Sequence, residues 1–545
     1  RRNPKSYLPE FALNRYEQKN AFLPPKAVNL RRGTPVWEIL KAAGLGATVL
    51  RCPCTYPPDS IRGRLLSGMG VPDVRGGLGT SAFYTTSDEV TPRESEKVVR
   101  VQALGEGAFS TYLIGPRNPR TGGDVRLDMT LKVDFHARKV TLQSDGTPRE
   151  LSVHQGAWSD WLRVKFKLGL LQSVRGMVRF YLVQCEPELA LYASPVNFDP
   201  DTPLFPISSP PEYSGELRNR IGLFYTTGMV EDTTGLNNER ISEEAFLAQC
   251  EIAWRDRESM MLAELESFEE GLFYCLFDTP DRIQHMFWRF REPDHPANRG
   301  AAAQADFSQV IDDCYRKCDA VVGKVMELID QDTLLIALSD HGFNSFRRGV
   351  HLNTWLYDNG FLVLRDGIRP GTDAGDLLRQ VDWQKTQAFA LGLSGIYLNI
   401  RGREEQGIVA PEEADTVKAS LAKALGGLTD PGQQGAVSIR RVLPREEVYR
   451  GPFVVEAPDL LVDFAPGYRI SWSSSMGGIA EGQFEDNIRK WSGDHIIDPE
   501  QVPGVLFMNR PFLLRQARLL DLAPTILAAL GLPKSPAMEG ESLLP

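Results

Sequence analysis

The sequence predicts an α/β fold, a mainly parallel sheet with helices on both faces, interrupted by a β-rich insertion. Short apolar runs alternate with segments of helical periodicity early and late in the chain, as in a sheet covered by crossover helices. From about residue 97 to 196 the pattern changes to alternating runs broken by Gly, Pro and Asn, which reads as consecutive strands. A chain of 545 residues, 42% hydrophobic and 24% charged, is long enough for a large core and two or three domains. The expected division is 1–96, the N-terminal part of the α/β core; 97–196, the insertion; and 197–545, the remainder of the core.

The elements follow in order. In "TPVWEILKAAGLGATVLRCPCTYPP" the spacing predicts a helix from Pro35 to Ala43, a stop at Gly44 and an apolar strand ending near Cys52. "KVVRVQAL", "STYLIGP", "RLDMTLKVDF" and "MVRFYLVQCEPELALYA" read as strands of the insertion. After the Pro-rich stretch Pro203 to Pro211, Ser242 to about Glu269 reads as a long helix, because "SEEAF" sets a capping Ser ahead of acidic first-turn residues. "GLFYCLFD", a helix from Phe307 to Ile329 and "DTLLIALSD" come next, and two short apolar runs flanking a helix predict buried parallel strands. "GIYLNI", a helix over Pro411 to Leu425, "VSIRRVL", "PDLLVDF", "GVLFMNR" and a helix in "LLDLAPTILAALGL" complete the alternation. Ile470 to Arg489, rich in Ser and Gly, reads as a mobile loop ahead of "SGDHIID".

Composition narrows the partners. With 61 basic and 71 acidic residues the formal charge is -10, so nucleic-acid polymer and anionic lipid are not expected to bind the surface as a whole. A phosphate substrate would need local cations. No apolar stretch reaches the roughly 18 residues of a membrane-spanning helix. The sequence opens on "RRNPKSYLPEF" without Met, so the compartment, extracytoplasmic or cytoplasmic, depends on any segment preceding Arg1. The seven Cys make no disulfide scaffold; Cys52 with Cys54 and Cys314 with Cys318 lack a zinc partner set, and all read as buried or incidental thiols.

In an open parallel sheet, ligands bind beyond the carboxyl ends of the strands, so polar residues directly after apolar runs come first. "LLIALSDHGF" ends in Asp340 and His341, and "FYCLFDTPDRIQHMFW" leads into Asp278, Asp281 and His285. Asp281 and His285 are four apart, and a helix after Pro280 puts both on one face, able to hold one ion. Only seven His occur, and three stand with an Asp at such places: His285, His341 and His495. Carboxylate with imidazole suits zinc or manganese better than calcium or magnesium. The bland alternatives are a helical ion pair for Asp281 and His285, a cap for Asp340 and His341, and a loop histidine at 495.

The order of Asp and His four apart, Asp-His-Gly after a strand, and Gly-Asp-His near the end, followed by "DLAPTILAALGLP" and "MEGESLL", resembles the alkaline phosphatase superfamily. Within it, "RRGTPVWEIL", "GRLLSGMGVPDVRG", "DRIQHMFWRF", "HLNTWL" and "APDLLVDF" are most similar to the type I phosphodiesterase and nucleotide pyrophosphatase group, in its bacterial predicted phosphohydrolase or phosphomutase branch. The resemblance implies two divalent ions, zinc or manganese: Asp281, His285 and His495 would hold one, Asp340 and His341 the other. It also implies a small-molecule phosphate ester substrate, more a diester than a monoester, and a phosphoenzyme on a Ser or Thr lying upstream of Arg1. The 545 residues alone are therefore expected to be inactive or nearly so.

Arg347, Arg348 and His351 are candidates to face substrate oxygens. Thr80 and Ser81, in the Gly-rich "RGGLGTSAFYTT", are the local hydroxyls whose loop amides could cradle a phosphate. His295 lies between prolines as a lesser candidate, and His136 and His154 fall in the insertion, which by position would roof the site. Competing functions are a phosphomutase with the same metals and nucleophile, and a catalytically inactive, metal-stabilised binding protein. A sulfatase is disfavoured because no Cys or Ser stands in the Pro and Arg spacing of its modified nucleophile.

Overall fold

The computed structural model describes residues 3–8, 13–17, 26–93, 95–118, 121–144, 147, 149–169, 172–299, 306–513 and 516–545. Of the opening string, residues 1, 2 and 9–11 lie outside them. Among the described residues, eleven α-helices and many short strands make a mixed α/β chain. It divides into two units, one of Ala12–Arg282, Tyr315–Leu335 and Met508–Pro545, the other of Arg1–Phe11, Ile283–Cys314 and Ile336–Phe507.

In the first unit, the helix Val36–Ala42 buries Trp37 and Leu40, and the chain reverses through Gly44, whose φ of 78° suits glycine. The strand Ala47–Leu50 then pairs in parallel with both Gly63–Leu66 and Leu272–Cys275. The helix Glu243–Leu265 starts where Ser242 Oγ accepts the Ala245 N–H at 3.2 Å, with Glu243 and Glu244 in its positive first turn. It buries Phe246, Gln249, Cys250, Ala253, Trp254, Arg257, Met260 and Met261 at helical spacing.

From Glu96 to Phe198 the elements among the described residues are all strands. Five of them form an antiparallel sheet from Gln102–Gly105 to Leu151–His154. Ser81–Thr85, ahead of that stretch, lies between Ala190–Ala193 and Glu96–Arg100. Leu131, Val140, Phe166, Phe180 and Leu191 share one core with Leu50 and Leu66, so the strand-rich stretch buries its apolar face against the elements beside it.

The second unit is built around Leu352, Trp355, Phe389, Ile396, Leu460 and Phe464. Its antiparallel sheet runs Ala388–Ala390, Gly395–Leu398, Leu460–Phe464, Ile439–Pro444. Another centres on Asn344–Val350, parallel to Gly467–Ile470 and antiparallel to Phe484–Asp486 and Gly493–Asp494.

Two expectations change. Leu272–Cys275 and Ile336–Leu338 are strands but only partly buried, with Leu338 41% exposed, and among the described residues each stands at the edge of its own sheet. Ile470 to Arg489 is not loop throughout. Ser471 Oγ accepts the Ser474 N–H at 3.0 Å to cap a short helix, Trp472–Ser475, and Phe484–Asp486 pairs with the central strand. Of the serines that suggested a loop, Ser471 is a buried cap, and Ser474 and Ser475 are buried within the helix it starts.

Candidate metal centre

The helix Thr279–Phe287 carries Asp281 in its first turn and His285 one turn later. Its continuity, running through the division between Arg282 and Ile283, sets the two side chains on one face. His495 follows the strand Gly493–Asp494, and its ring centroid lies 5.1 Å from that of His285. One ligand atom from each of Asp281, His285 and His495 falls within 4.8 Å of the others. Two imidazoles and a carboxylate at this separation fit a zinc-like ion.

Tautomers support that fit. His285 Nδ1 faces the Gly493 carbonyl at 2.7 Å, and a carbonyl only accepts, so Nδ1 carries the proton and Nε2 presents the lone pair. His341 does the same with the Gly342 carbonyl at 3.0 Å. His341 stacks on His495 with centroids 3.6 Å apart, and its Nε2 lies 3.6 Å from Asp340 Oδ1. Asp340 itself is exposed, beyond the strand Ile336–Leu338. Phe343 lies 4.8, 5.5 and 5.3 Å from the rings of His285, His341 and His495. Arg282 pairs with the Asp281 carboxylate.

The remaining candidates have protein partners. Arg347 donates to Glu292 Oε2 at 2.9 Å and Asp294 Oδ2 at 2.8 Å; Arg348 donates to Asp430 Oδ2 and Asp486 Oδ1, each at 2.8 Å. His351 is buried, with Nδ1 2.7 Å from Ser471 Oγ and Nε2 3.4 Å from Glu485 Oε2. His295 is buried with both ring nitrogens committed, Nε2 donating to the Phe346 carbonyl at 3.0 Å and Nδ1 accepting the Ala297 N–H at 3.1 Å. Burial accordingly pushes its pKa down. His136 and His154 are exposed.

The Gly-rich loop holds an anion already. The N–H groups of Arg75, Gly77 and Thr80 donate to the Asp73 carboxylate at 2.8, 3.1 and 2.8 Å. The amides that could have cradled a phosphate beside Thr80 and Ser81 are thus already engaged by the chain's own carboxylate.

Reading by motif missed the support beneath the centre. Trp491 lies on His285, centroids 3.7 Å apart at 28°, and donates from Nε1 to Asp494 Oδ2 at 2.9 Å. Burial pushes the Asp494 carboxyl up, but the neighbouring Arg469 guanidinium and the bonds from Trp491 and the Ile496 N–H hold it below the usual carboxylate range. Asp494, the first of the two acidic residues in "SGDHIID", was the available signal.

An α/β chain that gathers a carboxylate and two imidazoles within ligand range is a candidate metal-binding protein. More particularly, it belongs to the type I phosphodiesterase / nucleotide pyrophosphatase family of the alkaline phosphatase superfamily, whose profile matches residues 180–494. The match takes in Asp281, His285, Asp340 and His341 and stops one residue before His495. The family groups hydrolases of phosphate esters. Searches of curated proteins and of solved structures return no match. Among the described residues no helix is long and apolar enough to cross a membrane.

Proposed function

We propose that this chain is a metal-dependent phosphohydrolase of phosphodiesterase or nucleotide pyrophosphatase type, acting on small phosphate esters through a phosphoenzyme on a Ser or Thr. The observation that carries the reading is the approach of Asp281, His285 and His495, 214 positions apart at the extremes, to within 4.8 Å, with Nδ1 of His285 committed to a carbonyl. In this reading Asp281, His285 and His495 hold one divalent ion, zinc or manganese, and Asp340 and His341 contribute to a second. Bound there, two such ions lower the pKa of an attacking hydroxyl and balance the charge on the phosphoryl oxygens. The stacking of His341 on His495, centroids 3.6 Å apart, supports assigning it to a second ion beside the first.

Arg347 and Arg348 enter as framework cations, since breaking charge-assisted bonds to carboxylates would oppose their turning to substrate. An alkaline phosphatase-like, mainly parallel sheet and the division into a core over 1–96 and 197–545 with an insertion over 97–196 belong to the same proposal. The start of the family match at residue 180 and the run of strands from Glu96 to Phe198 support the division.

The test is metal content by plasma mass spectrometry, with hydrolysis of bis-p-nitrophenyl phosphate and p-nitrophenyl phosphate, on this chain and on a form extended upstream of Arg1. Expected are about two ions and diesterase activity in the extended form, with both reduced by Asp281→Ala, His285→Ala or His495→Ala. Metal-free, inactive protein in both forms would refute the reading.

A further inference from the structure

Arg469 is 1% exposed at the end of the strand Gly467–Ile470. Its guanidinium lies over two aromatic faces, 4.8 Å from the centroid of Phe346 and 4.1 Å from that of Trp472. A charge withdrawn this far from water requires a counter-charge. Asp494, 3% exposed, supplies it: Oδ2 lies 3.2 Å from Arg469 Nη1, an ion pair without hydrogen-bond geometry, so charge and not direction joins them.

The directional bonds of Asp494 go elsewhere. Oδ1 accepts the backbone N–H groups of His495 at 2.8 Å and Ile496 at 3.0 Å, and Oδ2 accepts Trp491 Nε1. One carboxylate thus fixes the backbone that presents His495 and the indole that covers the His285 ring. The segment Trp491–His495 also grips the helix Thr279–Phe287 directly, through Ser492 N–H to the His285 carbonyl at 2.7 Å and through His285 Nδ1 to the Gly493 carbonyl.

We infer that Arg469 is a positioning residue for the Asp281–His285–His495 centre, acting through Asp494 on His495 and through Trp491 on the ring of His285. The inference rests on the proposed metal-binding role of that centre. A guanidinium that only filled space among Phe346 and Trp472 would be replaced by an apolar side chain without effect on the ligands. One that holds Asp494 by charge would not.

The experiment titrates zinc into the metal-free full chain against a chromophoric chelator and records ring ¹H–¹⁵N correlations of histidine in wild type, Arg469→Met, Arg469→Lys, Trp491→Phe and Trp491→Ala. Losing such an outer support typically weakens metal affinity about 10–100-fold, and that loss is expected for Arg469→Met and Trp491→Ala. Lys at 469, keeping the charge, restores most of the affinity. Phe at 491, keeping the ring but not the N–H, falls between. The Nδ1–H signature of His285 seen in wild type is expected to broaden or shift in Trp491→Ala.

Wild-type affinity in both Arg469→Met and Trp491→Ala overturns the inference while leaving the metal-site reading intact. A weakened Arg469→Met with no recovery in Arg469→Lys overturns the charge mechanism. Wild-type protein that takes up no zinc sinks the site reading and this inference with it. Should Arg469→Met fail to fold, Trp491→Ala, at a half-buried position, decides alone.

Discussion

Gly493→Ala tests the grip of the 491–495 segment on the Asp281 helix. A Cβ at residue 493 would stand 2.5 Å from the Gln284 carbonyl oxygen and 2.9 Å from Trp288 Cβ. Ordinary van der Waals contact begins near 3.4 Å, so the strand must retreat from the helix by about 0.9 Å, a distance neither backbone can absorb without moving. Along the bond from His285 Nδ1 to the Gly493 carbonyl, now 2.7 Å, that retreat gives about 3.6 Å, beyond hydrogen-bond range. Overpacking costs about 1–3 kcal/mol and a lost hydrogen bond about 1 kcal/mol, so a destabilisation of roughly 2–4 kcal/mol is expected. With the ring of His285 released from its tautomer-fixing partner, zinc affinity should fall about 10–100-fold. Urea denaturation followed by tryptophan fluorescence and chelator competition measure the two effects. Gly482→Ala, whose Cβ would meet only the Phe484 carbonyl at 3.9 Å, is the control. Wild-type urea midpoint and zinc affinity in Gly493→Ala would refute the reasoning, since the close approach would then have no energetic consequence.

Tyr7 stacks on Trp383 at 3.6 Å, donates to Asn399 Oδ1 and accepts the Gln406 N–H, both at 2.9 Å. Tyr7→Phe should cost about 1–3 kcal/mol by leaving buried polar groups unmatched and Tyr7→Ala about 3–5 kcal/mol, both read by urea denaturation. Asp256 is pushed up to about 6 by burial, against the lowering effect of the Tyr225 N–H and nearby arginines. The folded state therefore holds this proton more tightly than the unfolded chain, near 3.9, and stability falls as pH rises from about 4 to about 6. Asp256→Asn, which can still accept the Tyr225 N–H, is expected to be more stable than wild type at pH 7.5 by up to roughly 3 kcal/mol, the gap closing towards pH 4 in parallel thermal melts. Asp201 has the opposite sign: burial raises its carboxyl, but bonds from Arg163 and Arg218 outweigh this and hold it below the usual range. Its contribution is present above the unfolded value of about 3.9 and is lost as pH falls through the folded one, so Asp201→Asn should be less stable than wild type at pH 7 and indistinguishable in strong acid.

Local chemistry was legible where neighbours in sequence decide it. Ser242 with the acidic pair behind it announces the helix Glu243–Leu265, Gly44 announces the turn into Ala47–Leu50, and the four-residue spacing of Asp281 and His285 puts them on one helical face. Strand pairing was not legible in this way. Leu272–Cys275 and Ile336–Leu338 look alike as apolar runs, and nothing local shows that one pairs with Ala47–Leu50 and the other with Leu506–Met508. Serine misled at 470–489 because a hydroxyl that signals a loop is also a helix cap, and burial of Ser471 and Ser474 chooses between them only after folding.

The same limit explains the candidate centre. The ligand types stand out in a chain with seven histidines, but their support is built from residues that sequence keeps apart: Arg469 reaches Asp494 across 25 positions, and Gly493 reaches Gln284 across 209. Asp73 shows the converse, since a Gly-rich loop read as an anion cradle turns out to wrap its own carboxylate. Glycines and free amides state only that an anion can be bound. Whether the anion comes from the chain or from a ligand depends on a single acidic side chain within reach, and at 73 the chain supplies it. At the Asp281 centre the supporting contacts run inward, from the charge of Arg469 through Asp494 to Trp491 and the ring of His285, each fixing the next. An arrangement in which buried charge is committed to orienting imidazoles is the one expected of a centre whose ligands must stand ready for an ion.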